Sequence, residues 1–559
     1  SYLRNNASQQ TISVDQVKAG GNLGIDLDGS GVRLGVWDGN IRISHREFTG
    51  RITRGDSFSG STFSNHGTHV CGTVGASGVD NAAQGMSHGA TLRAFNSSND
   101  ISEMSSEAGA SNPIVASNHS YGPDYGWLWN RTASMWNWTG GSNTEAWQHG
   151  AYLAEAIAYD NLARNAPFYT IVVAAGNERT HGTTAAHQHN GSGNFTDFHA
   201  TDGTNGDCLP NDATAKNVIT VGNCQAIAGG YSVPGDVVLA GSSSIGPTDD
   251  GRVKPDLVAQ GTGVYSSIGG SNSAYGNMGG TSMAAPAVTG SIGLLTELWT
   301  NLGGGSLRSS TIKALLIHTT DEAGGNPGPD YQFGWGLVNV ESAAKVMIND
   351  AKIGCRNIYV SSINTGGSFS TSFQSNGTDP ITATIAWTDP VGPQSSNNVV
   401  DESTLRLVND LNVRVTRSGS TFFPYVLNPA SPNNAATTGN NTRDNVEKIF
   451  IASPVAGATY TVTVTPNGSI TGGAQAFTLI LTGNSSVTNS ISTSAGTVND
   501  DRGYGTINDL TLDGTTVVNG GDLDLQSKNG AITLKENFEV RGGGEMVARI
   551  NENVCAIEE

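Results

Sequence analysis

Charge is scarce in this chain. Of 559 residues, 14% are Asp, Glu, Lys or Arg, against roughly 25% in an average soluble protein. Basic residues are the scarcer kind: 29 Lys and Arg face 48 Asp and Glu, a net charge of −19. A surface of that sign repels a phosphate backbone, so nucleic acid is not an expected partner. No apolar run approaches the roughly 18 residues a membrane span needs, so no span is expected. Cysteine is limited to five residues, which excludes a small disulfide-held scaffold. Cys208 and Cys224 flank a loop and are candidates for one bridge, and Cys355 and Cys555 for another. Cys71 is then left over as a buried free thiol. The chain opens on Ser1 with no charged-then-apolar leader, the pattern of a mature, processed form. These features point to a secreted, extracellular protein, with a monomer as the simplest expectation.

What is plentiful is glycine, 74 residues, with Ser, Thr and Asn throughout. At this length two to four domains are expected. Up to residue 349, strand-like runs alternate with helical ones. Residues 31–39, 169–177 and 217–224 read as strands, the last two as short continuous apolar runs of the buried parallel kind. Residues 145–165 and 281–305 read as helices, with Pro286 in the first turns of the second, where a missing N–H costs little. Such alternation predicts an α/β domain, a parallel sheet flanked by helices. After residue 350 the apolar period becomes two, in 381–390, 404–415, 459–468 and 476–483, which predicts an antiparallel β-sandwich or jelly roll over 350–484. Residues 485–559 read as a Ser/Thr/Asn-rich linker and a small β segment around 530–550, seen as a single copy rather than a repeat.

In open α/β sheets, ligands bind beyond the carboxyl ends of the strands. Asp38 ends the first strand and Asn177 another. His66 opens a helix within Phe63–Thr73, and Ser282 opens the long apolar helix behind Gly279, Gly280 and Thr281. A serine hydroxyl needs a base in reach, imidazole suits near neutral pH, and a carboxylate orients the imidazole. An amide and a helix N-terminus supply donors for an oxyanion. Each residue alone has an ordinary reading: Asp38 a turn former, Ser282 an N-cap, His69 a packed core histidine. The four together in this order do not.

"GVWDG" around Asp38, "NHGTHVCGT" around His66, "AAGN" ending in Asn177 and "GTSMAAP" around Ser282 resemble the subtilisin-like serine peptidases, over roughly residues 20–345. The resemblance implies Asp38 orienting His66, His66 as base then acid, Ser282 as nucleophile and Asn177 as oxyanion donor. It implies a serine endopeptidase acting on protein or peptide substrates through an acyl-enzyme. Ser120, Tyr121 and Gly122 stand where a Ser-Leu-Gly-Gly-like substrate strand is expected, and peptide would add to that edge. Ala174, Ala175 and Gly176 are small enough to wall a specificity pocket, and Glu178 would favour a basic residue there. Asp389, Asp410 and Asp444, in "WTDP", "LVNDLNV" and "RDNVEK", resemble motifs of the β-barrel domain following some large subtilisin-like catalytic domains. They are candidates for a structural calcium site, against ordinary turn chemistry.

The histidine-dense run 178–199, with His181, His187, His189 and His199, reads as an exposed glycine- and serine-rich loop rather than a zinc site. His66 and His69 lack the spacing and glutamate of a metal motif. The competing functions are an esterase, disfavoured because Ser282 is not in G-x-S-x-G, and a non-catalytic binding or adhesion protein with a relic active site.

Overall fold

A computed structural model describes residues 5–485 except 58, 59, 61, 142–144, 184, 201–205 and 353–355; beyond 485 it describes the backbone of strand segments alone. Cys355 and Cys555 lie outside the described residues.

The strands up to residue 260 are β1 (Arg33–Asp38), β2 (Ile52–Arg54), β3 (Thr91–Asn96), β4 (Ala116–His119), β5 (Trp127–Asn130), β6 (Met135–Trp138), β7 (Thr170–Ala174), β8 (His187–His189), β9 (Ser192–Phe195), β10 (Ile219–Cys224) and β11 (Leu257–Gln260). Seven of them form a parallel sheet in the order β11-β10-β7-β4-β1-β3-β2. The helices are α1 (Asn5–Thr11), α2 (Asn65–Gly75), α3 (Asp100–Ala108), α4 (Ala154–Asn165), α5 (Thr281–Asn301), α6 (Ser309–His318) and α7 (Val340–Asp350).

Strand alternation explains the two-sided burial. On β1, Leu34 and Val36 join Val70 and Val74 of α2 and Val288 of α5 in one core. Trp37, one residue on, faces the opposite core with Met104 of α3 and Leu162 of α4. Period two sends neighbours to opposite faces, and both faces are covered by helices, as a parallel sheet requires. Each such fully buried large apolar side chain contributes roughly 1.5–3 kcal/mol.

Two expectations about helices are corrected. Residues 145–153 are not helical; α4 starts at Ala154. The backbone there is committed elsewhere, Gly150 N–H to Leu209 O and Tyr152 N–H to Ser395 Oγ. Pro286 lies a full turn inside α5, so its missing N–H leaves the carbonyl of Ser282 without its helical donor. The hydroxyl of Ser120 donates to that carbonyl instead, at 3.1 Å.

Residues 358–485 form two larger antiparallel sheets and a two-stranded ribbon of Tyr425–Val426 with Thr437–Thr438. One has the order Ile358–Asn364, Ala474–Thr482, Ile381–Trp387, Val446–Ile451; the other runs from Ser420–Phe422 through Leu411–Arg417, Thr459–Pro466 and Phe369–Ser375 to Asn484–Ser485. Between them lies a core containing Ile385, Trp387, Val413, Val462 and Phe477. Residues 404–410, read as part of a strand, are a loop: Val408 N–H and Asn409 N–H both donate to Asp389, and Arg406 O accepts from Lys216 Nζ of the parallel-sheet unit.

The last segment is a repeat, contrary to the single copy expected. Its strands stack as three parallel three-stranded sheets. Ser492 lies opposite Thr511 and Leu510 opposite Ile532 in one sheet, with Thr497 opposite Thr516 and Thr516 opposite Glu539 in the next. Parallel strands at a spacing of about twenty residues are the backbone signature of a β-solenoid.

The bridge expected between Cys208 and Cys224 is absent. Cys71, Cys208 and Cys224 are all buried free thiols, and burial pushes the last two up to about 12. Cys208 Sγ donates to Ile245 O while Cys224 ends a central strand.

Candidate active site

At the carboxyl end of the parallel sheet, Asp38 closes β1 and His66 sits in the first turn of α2. Ser64 caps that helix, its hydroxyl accepting from Gly67 N–H at 2.9 Å. Gly67 allows the approach: a Cβ there would lie 2.7 Å from Gly39 O and 2.9 Å from Asp38 Oδ1. His66 Nδ1 is 2.9 Å from Asp38 Oδ1. A carboxylate only accepts, so Nδ1 carries the proton and Nε2 the lone pair, the tautomer a general base needs. Burial alone would lower the His66 pKa, but the hydrogen bond to Asp38 and its charge outweigh it and raise it above the ordinary 6.5.

Ser282 is the second residue of α5. Its hydroxyl donates to Ser120 O at 3.3 Å. Among the described residues no hydrogen bond joins it to His66. Asn177 follows the end of β7, and its Oδ1 accepts from Thr281 N–H at 3.0 Å. That bond fixes the amide orientation and leaves the NH₂ group as the donor on the other side.

A cavity of about 170 Å³ is lined by Ser120, Tyr121, Gly122, Asp124, Ala174, Gly176, Asn177, Glu178, Thr281 and Ser282 among others. Ala175 is corrected: it is fully buried in the core on the other face of the sheet, because one step along an extended chain reverses the side-chain direction. Gly176 has φ +99°, and a Cβ would stand 2.2 Å from Glu178 Oε2. Glu178 is buried and accepts from Ser244 Oγ at 2.8 Å. Burial pushes its carboxyl up to about 7 despite that hydrogen bond.

Behind the cavity, His119 is fully buried. Tyr169 OH donates to Ser117 Oγ at 2.5 Å, and Ser117 Oγ lies 2.7 Å from His119 Nε2. On the ring's other side Nδ1 is 2.8 Å from Tyr121 OH, which donates to Asp100 at 2.7 Å. Tyr121 is thus tethered from behind by its own hydroxyl. His69 is also buried, its Nε2 2.8 Å from Val264 O, and burial lowers it to about 4. A larger cavity, about 660 Å³, lies at the opposite, amino end of the strands, beside Val32, Val115 and Thr170. It is remote from these groups and is not their substrate site.

The family model for the subtilase family matches residues 29–336. The chain belongs to the subtilase family. This subtilase is 26% identical to subtilisin DY of Bacillus licheniformis over 341 residues, 60% of the chain and 96% of that protein. It is 26% identical to an extracellular serine protease of Serratia marcescens over 357 residues, 56% of the chain and 32% of that protein. It is 27% identical over 238 residues to the Dictyostelium discoideum serine protease/ABC transporter B family protein tagA, 37% of the chain and 13% of that protein. Its match therefore spans about a third or less of the length of the last two relatives. Among solved structures, a cold adapted subtilisin-like serine proteinase is similar at 21% identity with a TM-score of 0.37, covering 61% of the subtilase and 97% of that chain.

The calcium trio does not assemble. Asp389 is fully buried and paired with Lys216 Nζ at 2.5 Å. Asp410 accepts from Asn467 Nδ2 at 2.8 Å. Asp444 accepts from Val253 N–H at 2.8 Å and Asn441 Nδ2 at 2.9 Å. Of the three carboxylates, Asp389 and Asp444 are spent on protein donors, and the one oxygen left without a partner among the described residues, Asp410 Oδ1, does not make a shared site for calcium, which takes six to eight converging oxygens. Two of them instead join the parallel-sheet unit to the sandwich. Nor is the run 178–199 a plain loop: β8 and β9 pair within a four-stranded sheet in the order β5-β6-β8-β9.

Proposed function

We propose that this subtilase is a secreted serine endopeptidase that hydrolyses peptide bonds through an acyl-enzyme. The reading divides the chain into a catalytic domain (1–349), a jelly-roll domain (350–484) and a C-terminal β unit (485–559). The observation that carries it is the 2.9 Å contact between His66 Nδ1 and Asp38, which leaves Nε2 unprotonated on the rim that also holds Ser282.

In the reaction, Ser282 Oγ attacks the scissile carbonyl as His66 Nε2 takes its proton. The hydroxyl's bond to Ser120 O, long at 3.3 Å, is given up for this step. Catalytic hydrogen bonds of a free enzyme often tighten only once substrate is bound. The oxyanion takes hydrogen bonds from Asn177 Nδ2 and from the N-terminus of α5, whose first amides lack helical acceptors. His66 then returns the proton to the leaving amine, and water repeats the cycle on the acyl-enzyme. Ser120–Gly122 pairs with the substrate backbone, and the cavity ending at Glu178 takes the side chain before the cut.

A serine-directed fluorophosphonate should label Ser282 and stop cleavage of a denatured protein substrate. Ser282→Ala should lose activity by roughly a millionfold, the magnitude known from subtilisin itself, with its circular dichroism unchanged. A purified, folded chain that is never labelled and cuts nothing would leave the binding-module alternative standing.

A further inference from the structure

The sheet inserted beside the specificity cavity gathers four ligating side chains. His187 and His189 are two apart on β8, so their rings share one face. His189 Nε2 lies 3.1 Å from His187 Nε2 and 3.2 Å from His199 Nε2. Asp197 Oδ1 is 3.5 Å from His187 Nε2 and 3.2 Å from His189 Nε2, and Asp197 Oδ2 is 3.1 Å from His199 Nε2. All these atoms lie within 4.8 Å of one another.

We propose that His187, His189, Asp197 and His199 form a tetrahedral binding site for a divalent transition metal, zinc in the first place. Donors placed 2.0–2.1 Å from a tetrahedral ion are about 3.3–3.4 Å apart, close to the separations found. Protons account for the arrangement poorly. His187 Nδ1 is 3.0 Å from Ala185 O; a carbonyl only accepts, so this nitrogen holds the proton and the neutral ring's Nε2 is a lone pair. Neutral His189 and His199 then offer at most one Nε2 proton each, too few for the five short contacts. Charging all three rings would place cations about 3 Å apart. A single cation satisfies every lone pair at once.

The surroundings hold the donors in place. His187 and His199 are buried, with side-chain exposures of 1% and 5%, while Asp197 closes the site from solvent at 51%. Trp138 stacks on His199 with centroids 4.3 Å apart, Phe195 stacks on His189 at 4.1 Å and Trp127 meets His187 edge-on at 4.8 Å. The His187–Ala185 bond is the kind of outer contact that fixes a ligand's tautomer and orientation. Three imidazoles with one carboxylate suit zinc; square-planar preference disfavours copper(II) and nickel(II), and calcium wants more oxygens. Four protein ligands make the site closed and structural, with no open position for water chemistry.

Its place in the chain gives it a second consequence. The wall residues Gly122–Asp124 run directly into the segment leading to β5, and Glu178 opens the segment leading to β8. A metal held by β8 and the segment just after β9 staples the insertion that continues both walls of the specificity cavity.

The test uses the full chain carrying Ser282→Ala to prevent self-digestion, and reads metal content, so it does not depend on the peptidase assignment. After reconstitution with zinc and exhaustive dialysis, elemental analysis should find one zinc per chain. Cobalt(II) in its place should give the intense visible absorption of a tetrahedral complex. His189→Ala should lose the ion. Asp197→Asn, at an exposed position that leaves the fold intact, should weaken binding at least tenfold. A reconstituted chain without zinc would overturn the proposal, as would binding undiminished in both variants or a cobalt spectrum of octahedral type.

Discussion

The rim that holds Asp38, His66 and Ser282 and the seam between the first two units are built from the same kind of pair and are satisfied differently. At the rim, Asp38 holds His66 at 2.9 Å; the imidazole side chain is 35% exposed and Asp38 Oδ2 has no partner among the described residues. At the seam, Asp389 holds Lys216 at 2.5 Å with both side chains at 0% exposure. There Lys216 Nζ also donates to Pro390 O and Arg406 O, and Asp389 accepts from Val408 and Asn409 N–H. Asn217 adds reciprocal bonds to the Asp389 backbone. A charge pair with all its valences filled and no solvent is a staple. One whose imidazole is partly exposed, with Nε2 unfilled, keeps capacity for a further partner. Bond length alone does not separate them; what remains unsatisfied does.

That contrast can be broken at the rim first. Asp38→Asn keeps the size of the side chain but removes the charge that holds His66 in its tautomer. The expected loss in kcat is roughly ten-thousandfold. The alkaline-going limb of the pH profile, placed above 6.5 by Asp38, should move down in the variant's residual activity. A limb that stays put would dissociate Asp38 from the base.

Lys216→Ala comes next. Leaving Asp389 buried and unpaired should destabilise by about 3–5 kcal/mol, read from denaturant unfolding in the Ser282→Ala background. With Ser282 intact, kcat/KM of the fraction still folded should be unchanged. If activity fell with no change in unfolding midpoint, the seam would be part of the site and the contrast would fail.

Asn177→Ala removes one oxyanion donor and should cost roughly a hundred- to a thousandfold in kcat, again a subtilisin magnitude, with KM little changed. An equal loss from KM alone would make Asn177 a binding residue.

The smallest effect is the sharpest in detail. With its carboxyl at about 7, Glu178 is mainly neutral at pH 6 and charged at pH 8. The kcat/KM ratio for substrates with Arg against Gln before the cut should therefore rise severalfold between those values; the ratio cancels the titration of His66. Because the folded pKa is raised, stability from the protonated form is present below 4.5 and lost as pH rises through about 7. Glu178→Gln should flatten both trends.

The rim was legible because its residues stand at or just past the ends of strands and the starts of helices, and those ends carry local signals. The glycines beside Asp38 and Ser282 and the apolar runs behind them are readable one segment at a time. Asp389, Asp410 and Asp444 were misread for the same reason that they looked promising. Asp in a turn looks alike whether it faces calcium or a lysine, and Lys216 lies 173 residues from Asp389. Ala175 failed by one step of strand alternation. The histidine cluster did leave a signal, His-Gln-His on an extended segment, but a glycine- and serine-rich neighbourhood hid the strand. The rungs of the C-terminal unit are too short, two to six residues each, to stand out as a period.

Read one segment at a time, the chain already specifies that a parallel α/β unit precedes an antiparallel one, and that a carboxylate, an imidazole, an amide and a hydroxyl stand at or near its strand and helix ends. Which acids meet cations and which cysteines stay apart emerges when the chain is folded. So does the convergence of three histidines and an aspartate. Periodicity and capping are properties of a few consecutive residues, whereas pairing depends on where distant segments come to rest when the core closes.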